Sequence, residues 1–346
     1  MTTEEIDFNT IAASLGCESI ETDLGEFIVQ IADEKPYHIV TPAMHKSRKD
    51  IALLFNEKFG TPIDSTPEQM TEYVRGILRQ KFVTADIGVT GANFLIADIG
   101  GVAVTENEGN ALMSAAFPKV HVVIAGIEKI IPSVDGLGIF WQLLAAHGTG
   151  QQITNYNTIF TSAKKSNEPD APEKMYVILL DNGRTNVYAD ETAREALACI
   201  RCGACLNVCP VYKTIGGYTY NCTYSGPVGS VITPYLKGFK KFGHLCSACT
   251  LCGACAEVCP VKIPLPDLLL YNRTKAAKGL VQTVGIKGFC LLSKRRFWYE
   301  IVPSSIKNLF LQTFKPILWG NKRDFPIFAK SSFSKQYKNN KKNISK

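Results

Sequence analysis

The chain has 346 residues, room for about two domains at ~150 residues each, and 46% of them are hydrophobic and 20% charged. That composition is globular and excludes a collagen-like, wholly disordered or disulfide-miniature chain. The net charge of +7 is unevenly spread: residues 1–260 carry 20 basic and 28 acidic side chains, whereas residues 261–346 carry 18 basic and 3 acidic. An acidic body is thus joined to a basic C-terminal segment.

The opening Met1-Thr-Thr-Glu-Glu5 is acidic and no signal-type apolar run follows it. The longest apolar stretch, around residues 120–127, is short of the ~20 needed to span a bilayer. The expectation is a soluble, cytoplasmic chain.

In chain order, residues 47–59 place Ile51, Leu53, Leu54 and Phe55 among polar residues and stop at Gly60, the pattern of an amphipathic helix. Residues 66–82 repeat it after Pro67, with Met70, Tyr73, Val74, Ile77 and Leu78 on one face. Strands are expected at 17–22, 38–41, 93–97, 102–105, 120–125 and 175–180. The last two are apolar enough to be buried on both faces, as in a largely parallel sheet, so residues 1–185 read as an α/β domain. Residues 161–173 (TSAKKSNEPDAPE) read as an exposed loop, and Asp190 as the cap of a short helix over 191–198. A domain of cysteine loops and helices follows over 190–280. A basic segment over 281–346 ends in KQYKNNKKNISK, expected to be a disordered tail.

Of the 12 cysteines, nine crowd into two short stretches, with Cys17, Cys222 and Cys290 apart. Cys199-x2-Cys202-x2-Cys205-x3-Cys209-Pro210 is repeated 50 residues later as Cys249-x2-Cys252-x2-Cys255-x3-Cys259-Pro260. This is the spacing of two-cluster ferredoxins, in which three thiolates wrap one 4Fe–4S cluster and the fourth, before proline, serves the other. It assigns Cys199, Cys202, Cys205 and Cys259 to cluster I and Cys209, Cys249, Cys252 and Cys255 to cluster II. Gly203 and Gly253 stand between ligands, where a side chain crowds the core or blocks the turn. Structural zinc asks for two C-x2-C pairs per ion and fits less well, and disulfides are disfavoured in a reducing cell. Cys246 lies three before Cys249, so a shifted register that uses Cys246 stays open. Cys17, Cys222 and Cys290 read as small apolar residues.

The residues around these motifs resemble the lactate utilization protein B family. The resemblance rests on Ala196–Tyr212 (ALACIRCGACLNVCPVY), Gly216-Gly217, Gly226-Pro227 and Leu251–Pro264 (LCGACAEVCPVKIP). It extends upstream through Glu21–Glu26 (ETDLGE), His45-Lys46, Gly88–Asn93 (GVTGAN), Thr105–Asn110 (TENEGN) and Gly126-Ile-Glu-Lys129. It runs to about Phe333. It implies a sugar-phosphate isomerase/CoA-transferase-like α/β domain, then an α-helical ferredoxin domain with two 4Fe–4S clusters. It further implies oxidation of L-lactate to pyruvate in a complex with a cysteine-rich subunit and a second subunit carrying the same α/β domain. Members of the family begin much earlier, so the resemblance also implies that Met1 falls inside a family segment and that the α/β domain is incomplete. Many members lack a cysteine at the position of Cys249; its presence here favours a complete second cluster.

Thr90, Asn93, Glu106, Asn107 and Glu108 lie on glycine-rich loops beside expected strands. They read either as substrate contacts at strand carboxyl ends or as turn and cap chemistry, the latter being favoured. Gly88-Val-Thr-Gly91 lacks the Gly-Lys-Ser/Thr ending of a Walker loop. His45, beside Lys46 and Arg48, is a proton-carrier candidate or a surface residue, and His121 reads as structural. Leu112 stands where some family members have a basic residue, which weakens a catalytic anion site there. Residues 288–319 mix Phe289, Leu291, Leu292, Phe297, Trp298, Leu309, Phe310 and Trp319 with Lys294, Arg295 and Arg296. That pattern suits docking to an acidic subunit, a core-packing helix or an anionic membrane surface; no nucleic-acid motif accompanies it.

The function expected is an iron–sulfur electron-transfer subunit of an L-lactate-oxidising complex, with no catalytic residue assigned and the electron acceptor open. The alternatives are a carrier for another 2-hydroxy acid or for a quinone- or disulfide-linked oxidoreductase, and a truncated non-catalytic scaffold.

Overall fold

The structure, a computed structural model, describes residues 2–276, 280–318, 324 and 327–344. The chain divides into two compact units, Met1–Ala276 and Ala277–Lys346.

The first unit opens with helices α1 (Thr2–Glu5), α2 (Phe8–Ser14) and α3 (Leu24–Ile31). Helix α4 (Arg48–Phe59) starts at a capping box, Ser47 and Asp50 bonding each other's backbone, and stops at Gly60 in the left-handed conformation. Helix α5 (Pro67–Thr84) starts at a second box, Thr66 with Gln69, and has Pro67 in its first turn. Helices α3, α4 and α5 share a core of Phe27, Ile28, Phe55, Met70, Val74, Leu78 and Phe82, each worth roughly 1.5–3 kcal/mol when buried. Leu53 and Tyr73, expected on the apolar faces, are exposed.

Two sheets follow. Strands β1 (Ile87–Thr90), β4 (Val120–Gly126) and β7 (Lys174–Leu180) form a parallel sheet in the order β1-β4-β7. Strands β2 (Phe94–Ile96), β3 (Gly101–Glu106), β5 (Ile130–Ile131) and β6 (Tyr156–Phe160) form a second sheet in the order β5-β2-β3-β6. In that sheet β3 is antiparallel to both its neighbours. Helices α6 (Asn110–Ala116), α7 (Leu137–Leu144) and α8 (Arg184–Ala189) complete the α/β part.

Three sequence expectations are corrected here. Residues 17–22 are no strand: Ser19 O and Glu21 N bond the Gln30 amide on α3 instead of a ladder. Residues 38–41 turn back on the His38 ring, whose Nδ1 accepts from Val40 N and Thr41 N. Strand β7 is not buried on both faces: Tyr176 and Leu179 are 51% and 53% exposed, and Val177 and Ile178 are exposed as well. Among the described residues it is the last strand of its sheet and pairs with β4.

The N-cap of the 3-10 helix Ala193–Ala198 is Thr192, not Asp190, whose carboxylate accepts from Thr192 N and Ala193 N just ahead of the helix. Helices α9 (Ala204–Val208), α10 (Pro210–Ile215), α11 (Gly226–Lys237), α12 (Phe239–Phe242), α13 (Ala254–Glu257) and α14 (Leu265–Ala276) then enclose a core that includes Leu206, Tyr212, Tyr224, Val231, Ile232, Leu268 and Leu269.

The second unit holds α15 (Leu280–Ser293), α16 (Arg296–Ile301), α17 (Ser304–Leu318) and α18 (Phe333–Ile344). Its Phe289, Leu291, Phe297, Trp298, Leu309 and Phe310 are exposed; Trp319 lies outside the described residues. Helix α18 stands where a disordered tail was expected. Ser332 O receives its first bonds, and Phe333 stacks on Tyr337 one turn on.

Candidate functional site

The two cysteine runs fold into the same loop twice. Arg201 and Leu251, at matching positions, both adopt left-handed φ, 65° and 58°. Gly203 and Gly253 follow at 76° and 87° and open α9 and α13. In each loop a backbone N–H points at the first thiol: Arg201 N lies 3.4 Å from Cys199 Sγ and Leu251 N 3.3 Å from Cys249 Sγ. The fourth thiols receive Tyr212 N (to Cys209, 3.5 Å) and Ile263 N (to Cys259, 3.4 Å). Gly203 has a second reason to be glycine, since a Cβ there would lie 2.9 Å from His38 Cε1.

Cys199, Cys202, Cys205 and Cys259 line one small cavity with Ile39 and Val228. Three of these thiols come from the first loop and one from the second. Cys209, Cys249 and Cys255 pack into the same core, and burial, then the charges of Cys249, Cys209 and Cys252, push the free Cys255 thiol up to about 11. Among the described residues no three His, Cys, Asp or Glu side chains gather around a single ion; a cubane asks instead for one thiolate per iron. A donor set of thiols alone, on glycine turns with N–H groups directed at sulfur, fits iron–sulfur clusters.

The remaining cysteines are placed differently. Cys246 is fully buried and donates to Ser230 O at 3.1 Å. Cys222 donates to Tyr224 O at 3.0 Å. Cys17 and Cys290 are exposed. His38 is buried beside the first loop. Its Nδ1 accepts backbone bonds, which leaves the proton on Nε2, an atom without a partner; burial pulls the ring down to about 4.

A cleft of about 560 Å³ opens next to the first loop, at the carboxyl ends of β1 and β4. This is where open parallel sheets bind ligands. Thr90, Asn93, Glu106, Asn107 and Glu108 all line it. Each is also engaged within the protein. Thr90 Oγ1 bonds His121 Nε2 at 2.8 Å, and Asn93 Oδ1 accepts from Thr105 N at 2.9 Å. Glu106 caps α6 through Ala111 N and Leu112 N. Asn107 Nδ2 donates to Gln151, and Glu108 accepts from Leu24 N. His45 is elsewhere, bonded to Glu34 at 2.7 Å and stacked on Tyr37.

The residues that sequence reasoning missed are the charged ones at the closed end of this cleft. Arg184, 1% exposed, holds Glu5 with two bonds of 2.8 and 2.7 Å and Glu128 Oε2 through its Nε. Tyr224 and Asn182 complete the shell of Glu5, each at 2.6 Å. Burial works against the Glu5 charge, but these three partners outweigh it and leave the carboxyl below its ordinary value. The second oxygen of Glu128 takes Arg201 Nη2 at 3.1 Å, and the Arg201 guanidinium stacks on Tyr224 at 4.5 Å. Lys129 donates to Cys199 O at 3.3 Å. Burial, then repulsion from Arg201, pulls its ammonium down to about 8. Gly126 leaves room for the network, since a Cβ there would overlap Glu128 Oε2 and Arg184 Nε. The sequence signals were present: Glu128 and Lys129 lie in the Gly126–Lys129 motif, and Arg201 stands between two ligand cysteines.

The LUD domain model matches residues 4–180, and a 4Fe–4S dicluster domain model matches residues 195–263. The chain is 40% identical to lactate utilization protein B of Bacillus licheniformis, an alignment that covers 99% of this chain and 75% of that protein. It is 39% identical, with the same coverage, to lactate utilization protein B 2 of Bacillus mycoides. A crystal structure of a DUF162 family protein from Deinococcus radiodurans aligns at 16% identity and a TM-score of 0.23, over 52% of this chain and 98% of that one. With a LUD domain over half its length, an iron–sulfur domain behind it and such relatives along nearly all of it, the chain belongs to the lactate utilization protein B family.

Proposed function

We propose that the chain carries two 4Fe–4S clusters and serves as the electron-transfer subunit of a cytoplasmic complex that oxidises L-lactate to pyruvate. Cys199, Cys202, Cys205 and Cys259 hold cluster I; Cys209, Cys249, Cys252 and Cys255 hold cluster II. The observation that carries this reading is the single cavity lined by four thiols from two separate loops. The names of the relatives add lactate as the fuel. The partners are a cysteine-rich subunit and a second subunit with the same α/β domain. The burial of Cys246, with its thiol already bonded to Ser230, supports Cys249 as the ligand.

A 4Fe–4S cluster supplies one-electron transfer at a potential tuned by hydrogen bonds to sulfur and by burial. The chain's own residues do the rest. The left-handed turns at Gly203 and Gly253 aim the thiols inward, the N–H groups of Arg201 and Leu251 bond sulfur, and Ile39, Val228, Ile263 and Leu265 keep water from the first cavity. Among the described residues no helix is long and apolar enough to cross a membrane.

The test is anaerobic purification with iron and sulfide assays, paired with deletion of the gene. The expected results are about eight irons per chain with a broad absorbance near ~400 nm that bleaches on reduction, and loss of growth on L-lactate. Stoichiometric zinc in place of iron, or unchanged growth and oxygen uptake on L-lactate after deletion, overturns the proposal.

A further inference from the structure

The second unit, residues 277–346, carries 15 basic and 2 acidic side chains. It also turns apolar side chains outward. Helix α15 reads LVQTVGIKGFCLLS, with Lys287 as its single charge. Residues 283–291 make about two and a half helical turns, so they face every direction, and all of them are exposed. Ile286, Phe289 and Leu291 are each more than half exposed. A helix this apolar around its whole circumference is normally buried. Helix α17 is amphipathic but set the wrong way round for water. Ile306 and Leu309 share one face and are 56% and 68% exposed. The opposite side, with Asn308 and Lys315, is half-buried. Asn308 holds it there: its Oδ1 accepts from Phe328 N at 2.8 Å and its Nδ2 donates to Phe328 O at 3.1 Å. Between α15 and α17 come Lys294, Arg295 and Arg296, followed directly by the exposed rings of Phe297 and Trp298.

We infer that α15, α16 and α17 form a docking surface for an anionic lipid bilayer, their exposed apolar side chains entering the acyl level and Lys287, Lys294, Arg295 and Arg296 meeting the headgroups. The inference goes beyond the electron-transfer reading and does not rest on it. Three features favour a bilayer over a protein partner. The charge of the unit complements a phosphate-bearing surface, which attracts each lysine or arginine near it. The all-round exposure of α15 suits a fluid partner: a subunit of fixed shape covers one side of a helix, whereas acyl chains close around it. Phe297 and Trp298 directly after three cations give the pairing of an interfacial segment, with rings at headgroup depth and cations at the phosphates. The contact is peripheral. Helix α15 has 14 residues, or ~21 Å against ~30 Å of hydrocarbon, too short to span.

Sedimentation of the full chain with vesicles tests it. The probes are vesicles of phosphatidylcholine alone and of phosphatidylcholine mixed equally with phosphatidylglycerol. Expected is binding to the mixed vesicles at least about tenfold stronger than to phosphatidylcholine, weakening as salt is raised. Two double variants at exposed positions probe the two contributions. Ile306→Ser with Leu309→Ser removes apolar contact, and Lys294→Gln with Arg295→Gln removes charge. Each should weaken binding to the mixed vesicles by about tenfold or more, with iron content and the far-ultraviolet circular dichroism of the wild type. A chain that stays in the supernatant with both vesicles overturns the inference. So does equal, salt-insensitive binding to both, or wild-type binding by both double variants. Two rival occupants have their own signatures. Self-association of the wild type that Ile306→Ser with Leu309→Ser abolishes, without vesicle binding, assigns the surface to a second copy and overturns the bilayer. Binding to poly-L-glutamate but to neither vesicle assigns it to an acidic polypeptide and overturns it equally. The iron assay reports on the electron-transfer reading separately: a chain without iron that still binds the mixed vesicles fails that reading and leaves the docking surface standing.

Discussion

The cysteine loops and the closed end of the cleft lie side by side but are built in opposite ways. Each loop is shaped by neighbours in the chain: Leu206 N bonds Gly203 O, Ala256 N bonds Gly253 O, and Cys209 Sγ receives the N–H three residues on. The cleft end is made of residues far apart, with Glu5 tied to Arg184 and Tyr224 across 179 and 219 positions. The loops are made by backbone conformation around thiols, and the cleft by buried charges that must all be matched. Local geometry of the first kind tolerates changes elsewhere in the molecule, whereas a matched set of buried charges fails when any one member is removed.

Substitutions break this contrast at different depths. The largest effect belongs to the ligands: Cys255→Ser should lower iron from about eight to about four per chain and remove about half of the absorbance near ~400 nm, whereas Cys222→Ser leaves both unchanged. Iron and sulfide assays decide it. Next is Arg184→Met, which strands Glu5 and Glu128 and should cost about 3–5 kcal/mol, read as a lower denaturant midpoint. Asp190→Asn should cost about 1–2 kcal/mol. Burial opposes the Asp190 charge, but Lys275 and the N–H groups of Ala193 and Thr192 outweigh it and hold the carboxyl at about 2. The folded value is below the unfolded one of ~3.9, so this contribution is full above that value and is lost as pH falls toward about 2. Denaturation at successive pH values should show that acid slope in the wild type and a flatter one in the variant. The smallest effect is at Arg75, paired with Glu72 in full view of solvent; Arg75→Ala should stay within ~0.5 kcal/mol.

What could be read from the chain follows the same division. Helices α4 and α5 were legible because their signals are local: apolar residues spaced among polar ones, Gly60 just past the first and Pro67 in the first turn of the second. The cysteine spacing was legible for the same reason. The exposure of β7 was not, because its apolar run is that of an interior strand and only sheet order makes it an edge. The extended look of 38–41 hid a turn that closes on one imidazole. Glu128, Lys129 and Arg201 were in plain sight within motifs, but their importance depends on Arg184 and Glu5, and no periodicity links positions 5, 128, 184 and 201. The five polar residues singled out beforehand do border the cleft, yet each also has structural work in a turn, a cap or a loop bond.

The tie between Glu5 and Tyr224 also sets a clock for synthesis. Helix α1 is only four residues long, too short to hold itself together, and the partners of its carboxylate are Asn182, Arg184 and Tyr224, the last of them translated 219 positions later. At ~5–20 residues per second that is roughly 10–40 s on the ribosome. Until then the shell of Glu5 is incomplete, so the end of the cleft that faces the cluster loop cannot close before the ferredoxin-like part has begun to emerge.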